Sequence, residues 1–213
     1  MYNKFVKRLL DIILSGLGII ILSPLFLGVI VAIRLTDNGP ILFKQKRIGI
    51  HKSYFYIMKF RTMDVNTPRD MPTHLLTDAN LWITKPGHFL RKTSLDELPQ
   101  IFQIFTGEMS IVGPRPALWN QTDLIAERDR YGANDVRPGL TGWAQVNGRD
   151  ELEIDVKARL DGEYANNISF LFDLKIFFLT IVSVLKHDGV VEGGTGAMKA
   201  ESERKNADTE DNK

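Results

Sequence analysis

LRKTSLDELPQIFQIFTGEMSIVGPRP, Leu90 to Pro116, is the densest stretch of the chain. Leu95, Leu98, Ile101, Phe102 and Phe105 recur at steps of three and four, which predicts a short helix with one face committed to a core. Ser94 and Glu97 have capping-box spacing, and Pro99 must lie in or near the first turn, because deeper inside it would break the backbone ladder. Asp96 then falls within that turn, where the helix dipole favours an ionised carboxylate and a nearby phosphate. Arg91-Lys92 precede the acidic pair. Behind it comes Gly113-Pro114-Arg115-Pro116, an arginine with a proline on each side. Two carboxylates between two cationic clusters suit an anion and a divalent metal; on spacing alone they equally suit a helix cap.

Working outward, the 213 residues suffice for one compact domain with appendages. The absence of cysteine excludes disulfides, thiolate ligands and thiol nucleophiles. The net charge of +1 hides an asymmetry: residues 1 to 63 hold ten Lys or Arg against Asp11 and Asp37 only. The basic excess flanks the most apolar segment, which fits a membrane surface or phosphate substrates. Nucleic acid is not expected, since no basic helix, zinc pattern or RNA-binding aromatic signature accompanies it.

Ile12 to Ile33 is an apolar run long enough to cross a bilayer, interrupted by Gly16, Gly18 and Ser23-Pro24. Pro24 removes a helix hydrogen bond that some other group must replace in lipid, and Ser23 can do so locally. Lys4, Lys7 and Arg8 precede the run; Arg34, Lys44, Lys46 and Arg47 follow it. Positive charge on both sides gives no preferred orientation, so a hairpin entering and leaving by one face and a simple anchor both remain open. A cleaved signal peptide does not fit a run this long without a small-residue cleavage motif. Asp11 at the edge of the run needs a partner, and Lys7 or Arg8 is expected to be it.

Ile41 to Gln45 and Tyr54 to Met58 read as strands leading to Lys59 and Arg61. Residues 64 to 87, with Pro68, Pro72 and Pro86, read as a loop with room for one short helix. Met109 to Val112 reads as a strand after a Gly107-Glu108 turn. Trp119 to Tyr131 reads as an exposed helix whose Glu127 to Arg130 charges face solvent. In VRPGLTGWAQVNGR, Val136 to Arg149, turn signals bracket a strand around Trp143 to Val146 and leave Arg137 and Arg149 at turns, able to reach a diphosphate. Glu151 to Tyr164 reads as a helix. Phe170 to Leu185 reads as an interfacial or core helix with Asp173, Thr180, Ser183 and Lys186 along one stripe. From Gly189 onward composition predicts disorder. The four histidines are scattered and read as structural or surface, so any metal is a hard, oxygen-ligated cation such as Mg²⁺.

These strings resemble the monotopic phosphoglycosyl transferases, bacterial sugar transferases that move a sugar phosphate from a nucleotide onto a polyprenol phosphate. The resemblance runs from Lys7 to about Lys186 through Lys7-Arg8-x-x-Asp11, Ser23-Pro24, FKQKRIGI, KFRTM, the Leu90 to Pro116 stretch and VRPGLTGWAQVNGR. It implies an α/β fold, mostly helical with a small sheet, with residues 1-35 as a re-entrant membrane helix hairpin. Residues 36-188 would be a catalytic domain on the cytoplasmic face of the bacterial inner membrane, and 189-213 a polar tail. It implies Asp96 as the nucleophile and Mg²⁺ ligand, with Glu97 beside it. Lys59, Arg91, Arg115, Arg137, Arg149 and, on a looser match, Asp161 would bind the nucleotide sugar or its phosphates. Lys7, Arg8, Asp11, Ser23 and Pro24 would form the hairpin and hold the polyprenol phosphate.

The implied partners are a UDP-sugar donor, undecaprenyl phosphate and membrane lipids. The products are a polyprenyl-diphosphate sugar and UMP, a first membrane step in glycoconjugate assembly. Competing readings are a metal-dependent glycosyltransferase releasing UDP, for which no Asp-x-Asp motif is evident, and a non-catalytic membrane adaptor. The transferred sugar, the pathway and the oligomeric state, a homo-oligomer included, stay open.

Overall fold

The computed structural model describes residues 2–36, 38–67, 82–148 and 152–186. The 189-213 tail and most of the 64 to 87 loop therefore lie outside the described residues. A single π turn, Tyr2–Val6, leads into α1, Lys7–Arg34. At 28 residues α1 is roughly 42 Å long. Among the described residues it alone is long and apolar enough to cross a membrane.

The chain runs through Ser23-Pro24 as one helical element rather than as two helices joined by a loop. Pro24 cannot donate to the Ile20 carbonyl, and the Ser23 hydroxyl donates to that carbonyl at 2.8 Å instead. One stripe of α1 lies on the rest of the protein along its whole length: Asp11 and Ser15 are buried before the proline, Val29 and Ile33 after it. Gly16 and Gly18 let the helix that holds Ile101 approach, since a Cβ at Gly18 would stand 2.5 Å from Ile101 Cδ1. The other faces of α1 stay apolar and exposed, with Ile20 and Ile21 more than two-thirds accessible.

β1, Leu42–Ile48, and β2, Tyr54–Phe60, form an antiparallel ribbon in which Phe43 opposes Lys59. A two-stranded ribbon is marginal alone. The outer edge of β2 is held by Gln103, whose Oε1 accepts from Met58 N at 2.8 Å and whose Nε2 donates to the Tyr56 carbonyl at 2.9 Å. α2, Lys85–Lys92, starts at an N-cap Thr84 that accepts from Gly87 N, with Pro86 in its first turn. Pro86 thus opens a helix rather than sitting in a loop, as suits a residue without an N–H to bond.

The expected central helix is divided into a 3₁₀ turn, Leu95–Glu97, and α3, Gln100–Thr106, with Pro99 at the N-cap. No capping box forms: Ser94 is left-handed at φ 55° and makes no side-chain cap bond. The apolar periodicity survives the break, because Leu95 and Leu98 pack against Val29, Ile33, Phe60 and Leu90. Phe102 and Phe105 remain about half exposed along α1 rather than entering a core.

β3, Ser110–Val112, pairs in parallel with β4, Gly139–Thr141. The strand expected at Trp143 to Val146 is instead a short helix, α5, and the pairing strand lies just before it. Glycine decides this: a Cβ at Gly113 would collide with the Arg137 carbonyl and one at Gly139 with Gly113 N, so only there can the two segments come so close. α4, Thr122–Asp129, α6, Ile154–Asn166, and α7, Phe170–Lys186, complete the fold. In α7 Asp173 and Ile176 are buried while Leu171, Phe177 and Phe178 are exposed.

Asp11 is buried, but its partners are neither Lys7 nor Arg8. It accepts from Ser110 Oγ at 2.8 Å and Ile111 N at 3.0 Å, fastening α1 to β3. Lys7 pairs instead with Asp173 at 2.7 Å.

Candidate active site

Leu95 and Leu98 anchor the 3₁₀ turn in the core and leave Asp96 and Glu97 between β2, α2 and the Pro114–Pro116 segment. Both acids are only 9% exposed. Glu97 Oε1 accepts from Lys59 Nζ at 2.7 Å and from Arg115 at 2.8 Å. Burial alone would raise the Glu97 pKa, but Arg115 and Lys59 outweigh it and hold this carboxyl well below its ordinary range.

Asp96 differs. Among the described residues no side-chain hydrogen bond reaches its carboxylate, and burial pushes its pKa up. The charges of Lys59, Arg91 and Arg115 act against that rise, while Glu97 adds to it. One acid is thus locked as an anion; its neighbour keeps its lone pairs for something else.

Arg115 is held with unusual thoroughness. The four consecutive carbonyls from Pro114 to Ala117 each accept a bond from elsewhere: from Gly139 N at 2.9 Å, Arg128 at 3.0 Å, Arg47 at 2.9 Å and Ile48 N at 2.9 Å. Prolines on both sides fix φ as well. Arg91, on α2, donates through Nε to Thr62 Oγ1 at 2.9 Å, tying the first cation cluster to the KFRTM string.

The remaining candidates fall elsewhere. Asp161 is fully buried and receives both Nε and Nη2 of Arg128, at 2.9 and 2.5 Å. Arg128 is 4% exposed, so the charge run at Glu127 to Arg130 does not all face solvent. It follows Leu124 by one turn on the buried face of α4, a periodicity that could have marked it. Arg137 donates to the Gly107 carbonyl at 3.1 Å, and Arg8 to the Ile104 and Phe105 carbonyls at 2.6 and 2.8 Å. These two arginines satisfy the carboxyl end of α3, about 10 Å along the helix from its acidic end. Arg149 lies outside the described residues.

No group of three metal-ligating side chains occurs among the described residues. Mg²⁺ asks for less, since it binds through one or two carboxylates plus substrate phosphates. Asp96 is a hard oxygen donor of that kind, with its carboxylate free of protein hydrogen bonds among the described residues.

The family model for bacterial sugar transferases matches residues 2–187. The chain is 41% identical over 184 residues to the uncharacterized sugar transferase EpsL of Bacillus subtilis, covering 86% of this chain and 89% of that one. It is 38% identical over 192 residues to the UDP-glucose:undecaprenyl-phosphate glucose-1-phosphate transferase of Escherichia coli, covering 84% of this chain and 40% of the relative. The undecaprenyl-phosphate galactose phosphotransferase of Salmonella typhimurium is 35% identical over 201 residues, covering 88% of this chain and 42% of the relative. The chain thus spans less than half the length of those two relatives and most of EpsL. With the match extending from the start of α1 to the end of α7, the chain belongs to the bacterial sugar transferase family.

Proposed function

We propose that this protein transfers a sugar 1-phosphate from a UDP-sugar to undecaprenyl phosphate. The observation that carries the reading is the contrast between Glu97, fully engaged by Lys59 and Arg115, and Asp96, a buried carboxylate with no hydrogen bond among the described residues. Such a group is available as a nucleophile and is reactive because it is poorly solvated.

Asp96 Oδ attacks the phosphorus that carries the sugar; the bond from that phosphorus to the bridging oxygen breaks, and UMP leaves. An aspartyl phosphosugar remains. An oxygen of the polyprenol phosphate then attacks the same phosphorus, the acyl phosphate bond breaks, and the Asp96 carboxylate is restored. Arg115, Arg91 and Lys59 neutralise the charge that accumulates at the phosphorus and on the departing UMP. Mg²⁺, held by Asp96 and the donor diphosphate, would supply further charge neutralisation. Glu97 keeps Lys59 and Arg115 in register.

The seating of the helices supports a membrane acceptor. Both ends of α1 fasten to the same body, residues 7 to 11 on β3 and α7 and residues 29 to 33 on Phe60 and Leu90. The face between them is apolar and exposed, as is that of α7. This favours a helix that enters and leaves the bilayer on one side, the side that the family resemblance takes to be the cytoplasmic face of the inner membrane. The exposed start of α1 would meet the lipid acceptor.

The test is nucleotide release by detergent-solubilised protein given undecaprenyl phosphate, Mg²⁺ and UDP-glucose, UDP-galactose or UDP-N-acetylglucosamine, with Asp96→Asn alongside. UMP release that requires Asp96, with a phosphosugar adduct on the Asp96 peptide when acceptor is withheld, is expected. UDP release would make the protein a glycosyltransferase and overturn the reading.

A further inference from the structure

Gln45, in the FKQKRIGI string, has no part in the reaction above, yet the register of the ribbon carries it under the cationic cluster. Phe43, Gln45 and Arg47 of β1 share a face with Lys59, Ile57 and Phe55 of β2, their direct partners. Phe55 and Ile57 are buried with Ile104 and Met109, so this face looks into the protein, while Tyr54 and Tyr56 on the other are exposed. Along the second edge of β1 runs the segment after Arg115, antiparallel to it: Ile48 N donates to the Ala117 carbonyl, and Arg47 bridges Leu118. Lys59 thus stands opposite Phe43, near the start of β1, and Arg115 lies beyond its end. Both still reach Glu97 Oε1, at 2.7 and 2.8 Å. Their meeting point therefore lies over the middle of β1, where Gln45 stands.

The amide there is fixed at one end and open at the other. Arg47 Nη2 donates to Gln45 Oε1 at 2.7 Å, and Arg47 Nη1 donates to the Pro116 carbonyl at 2.9 Å. A guanidinium only donates, so the amide oxygen faces Arg47 and Nε2 is turned away from it. Among the described residues Nε2 has no hydrogen-bond partner, and it is not sealed from solvent. Its N–H groups are therefore available to a molecule that enters. A third cation between Lys59 and Arg115 would be repelled by both. An amide adds donors without adding charge, and because Arg47 already holds it, using them costs little reordering.

We propose that Gln45 binds the donor, its Nε2 donating to a non-bridging oxygen of the diphosphate between Lys59 and Arg115. The inference rests on the UDP-sugar reading above and deepens it. In that reading Lys59 and Arg115 neutralise the same diphosphate, so its oxygens pass over the strand position that lies between them. A bond to a charged oxygen from an amide already held in place fixes the phosphorus relative to Asp96, where the two cations alone would only attract it. A Gln45 that served merely to hold Arg47 would need its oxygen and not its nitrogen, and that difference separates the two roles.

The experiment is equilibrium binding of UDP to the full-length protein in detergent with Mg²⁺, for the wild type, Gln45→Met and Gln45→Glu, with a melting curve of each in the absence of nucleotide. Gln45→Met, close in shape but without an N–H, should weaken UDP binding about tenfold. Gln45→Glu keeps an oxygen for Arg47, so it should melt no lower than the wild type. It also sets a carboxylate against the diphosphate, and should weaken UDP binding about a hundredfold or more. Wild-type affinity in Gln45→Glu would mean that the side chain only holds Arg47 and would overturn the proposal, as would unchanged affinity in Gln45→Met. If Gln45→Met does not fold, Gln45→Glu still decides. UMP release from a UDP-sugar by the wild type, together with a UDP affinity indifferent to Gln45, would sink this assignment and leave transfer standing. A UDP affinity that depends on Gln45, without UMP release, would do the reverse.

Discussion

The protein buries two ionic clusters and treats them oppositely. Where α1 meets α7, Asp173 Oδ2 accepts from Lys7 Nζ and Tyr2 OH, each at 2.7 Å, and its Oδ1 lies 2.7 Å from Tyr164 OH. Every lone pair that needs a partner there has one. Where the 3₁₀ turn meets β2 and Arg115, Glu97 is equally well served, but Asp96 beside it is buried without a hydrogen bond among the described residues. The first cluster is a fastener between the two helices with the largest apolar faces. The second leaves a buried carboxylate without a hydrogen bond among the described residues, which is the group the proposed reaction uses.

Substitution should separate the two sharply. Asp96→Asn is expected to reduce UMP formation by roughly 10³-fold or more, as loss of a covalent nucleophile does. Its thermal midpoint should stay the same or rise, because a neutral amide removes a charge whose burial outweighs the attraction of Lys59, Arg91 and Arg115. A fall of several degrees in the melting curve would make Asp96 structural and erase the contrast. Asp173→Ala should do the opposite. It leaves Lys7 buried without its counter-ion and the Tyr2 hydroxyl without its acceptor, while Tyr164 keeps the Val112 carbonyl at 3.0 Å, at a cost of about 3 to 5 kcal/mol in unfolding free energy. Turnover per folded molecule should be little changed, a split that denaturant titration beside an activity assay resolves.

pH sharpens the same comparison within the acidic pair. Burial raises the Asp96 pKa above its ordinary value, so the carboxylate becomes protonated, and stops attacking, while Glu97 is still ionised. The acid limb of kcat/KM should therefore lie above the ordinary aspartate range, and below it the protein should be folded but inactive. Stability follows the other acid. Glu97 is depressed on folding, so its contribution is present above its unfolded pKa and is lost as pH falls through the folded value. Asp96, raised on folding, works against stability above its own unfolded pKa. An acid limb that coincides with the unfolding transition would count against separate roles for the two.

Much of this was legible locally. Apolar run length gave α1, Ile, Phe and Tyr content gave β1 and β2, and helical periodicity gave α6 and α7. Pro99 marked the start of α3 from the rigidity of its ring. What periodicity does not carry is which distant groups pair. Asp11 looks to Lys7 and Arg8 in the sequence and finds Ser110 and Ile111, about a hundred residues on. Arg128 sits in a charge run that reads as solvated until Asp161, 33 residues away, buries it. Arg137 reads as a phosphate ligand because it falls at a turn; in the structure its Nε donates to the Gly107 carbonyl at the carboxyl end of α3. Trp143 to Val146 is too short for its period to separate helix from strand, and the glycines that admit β4 decide the matter through backbone contact. The acidic pair itself was legible, but its asymmetry was not, because that depends on Lys59 and Arg115 arriving from two other segments.

The smallest effect expected tests the most local inference. Ser23 Oγ donates to the carbonyl that Pro24 deprives of its usual donor, on a stretch of α1 whose surroundings are apolar. Ser23→Ala should cost about 1 kcal/mol in thermal or denaturant unfolding, the ordinary net value of one hydrogen bond. Pro24→Ala restores an N–H four residues after Ile20, so the same carbonyl regains its backbone partner and the serine becomes redundant. In the Pro24→Ala background, then, Ser23→Ala should cost close to nothing, and the coupling between the two positions should equal most of the single-site loss. Additive losses would mean that the hydroxyl acts elsewhere. The helix would then run through its proline for another reason, such as the packing of Phe26 on Phe60 and Phe102 one turn later.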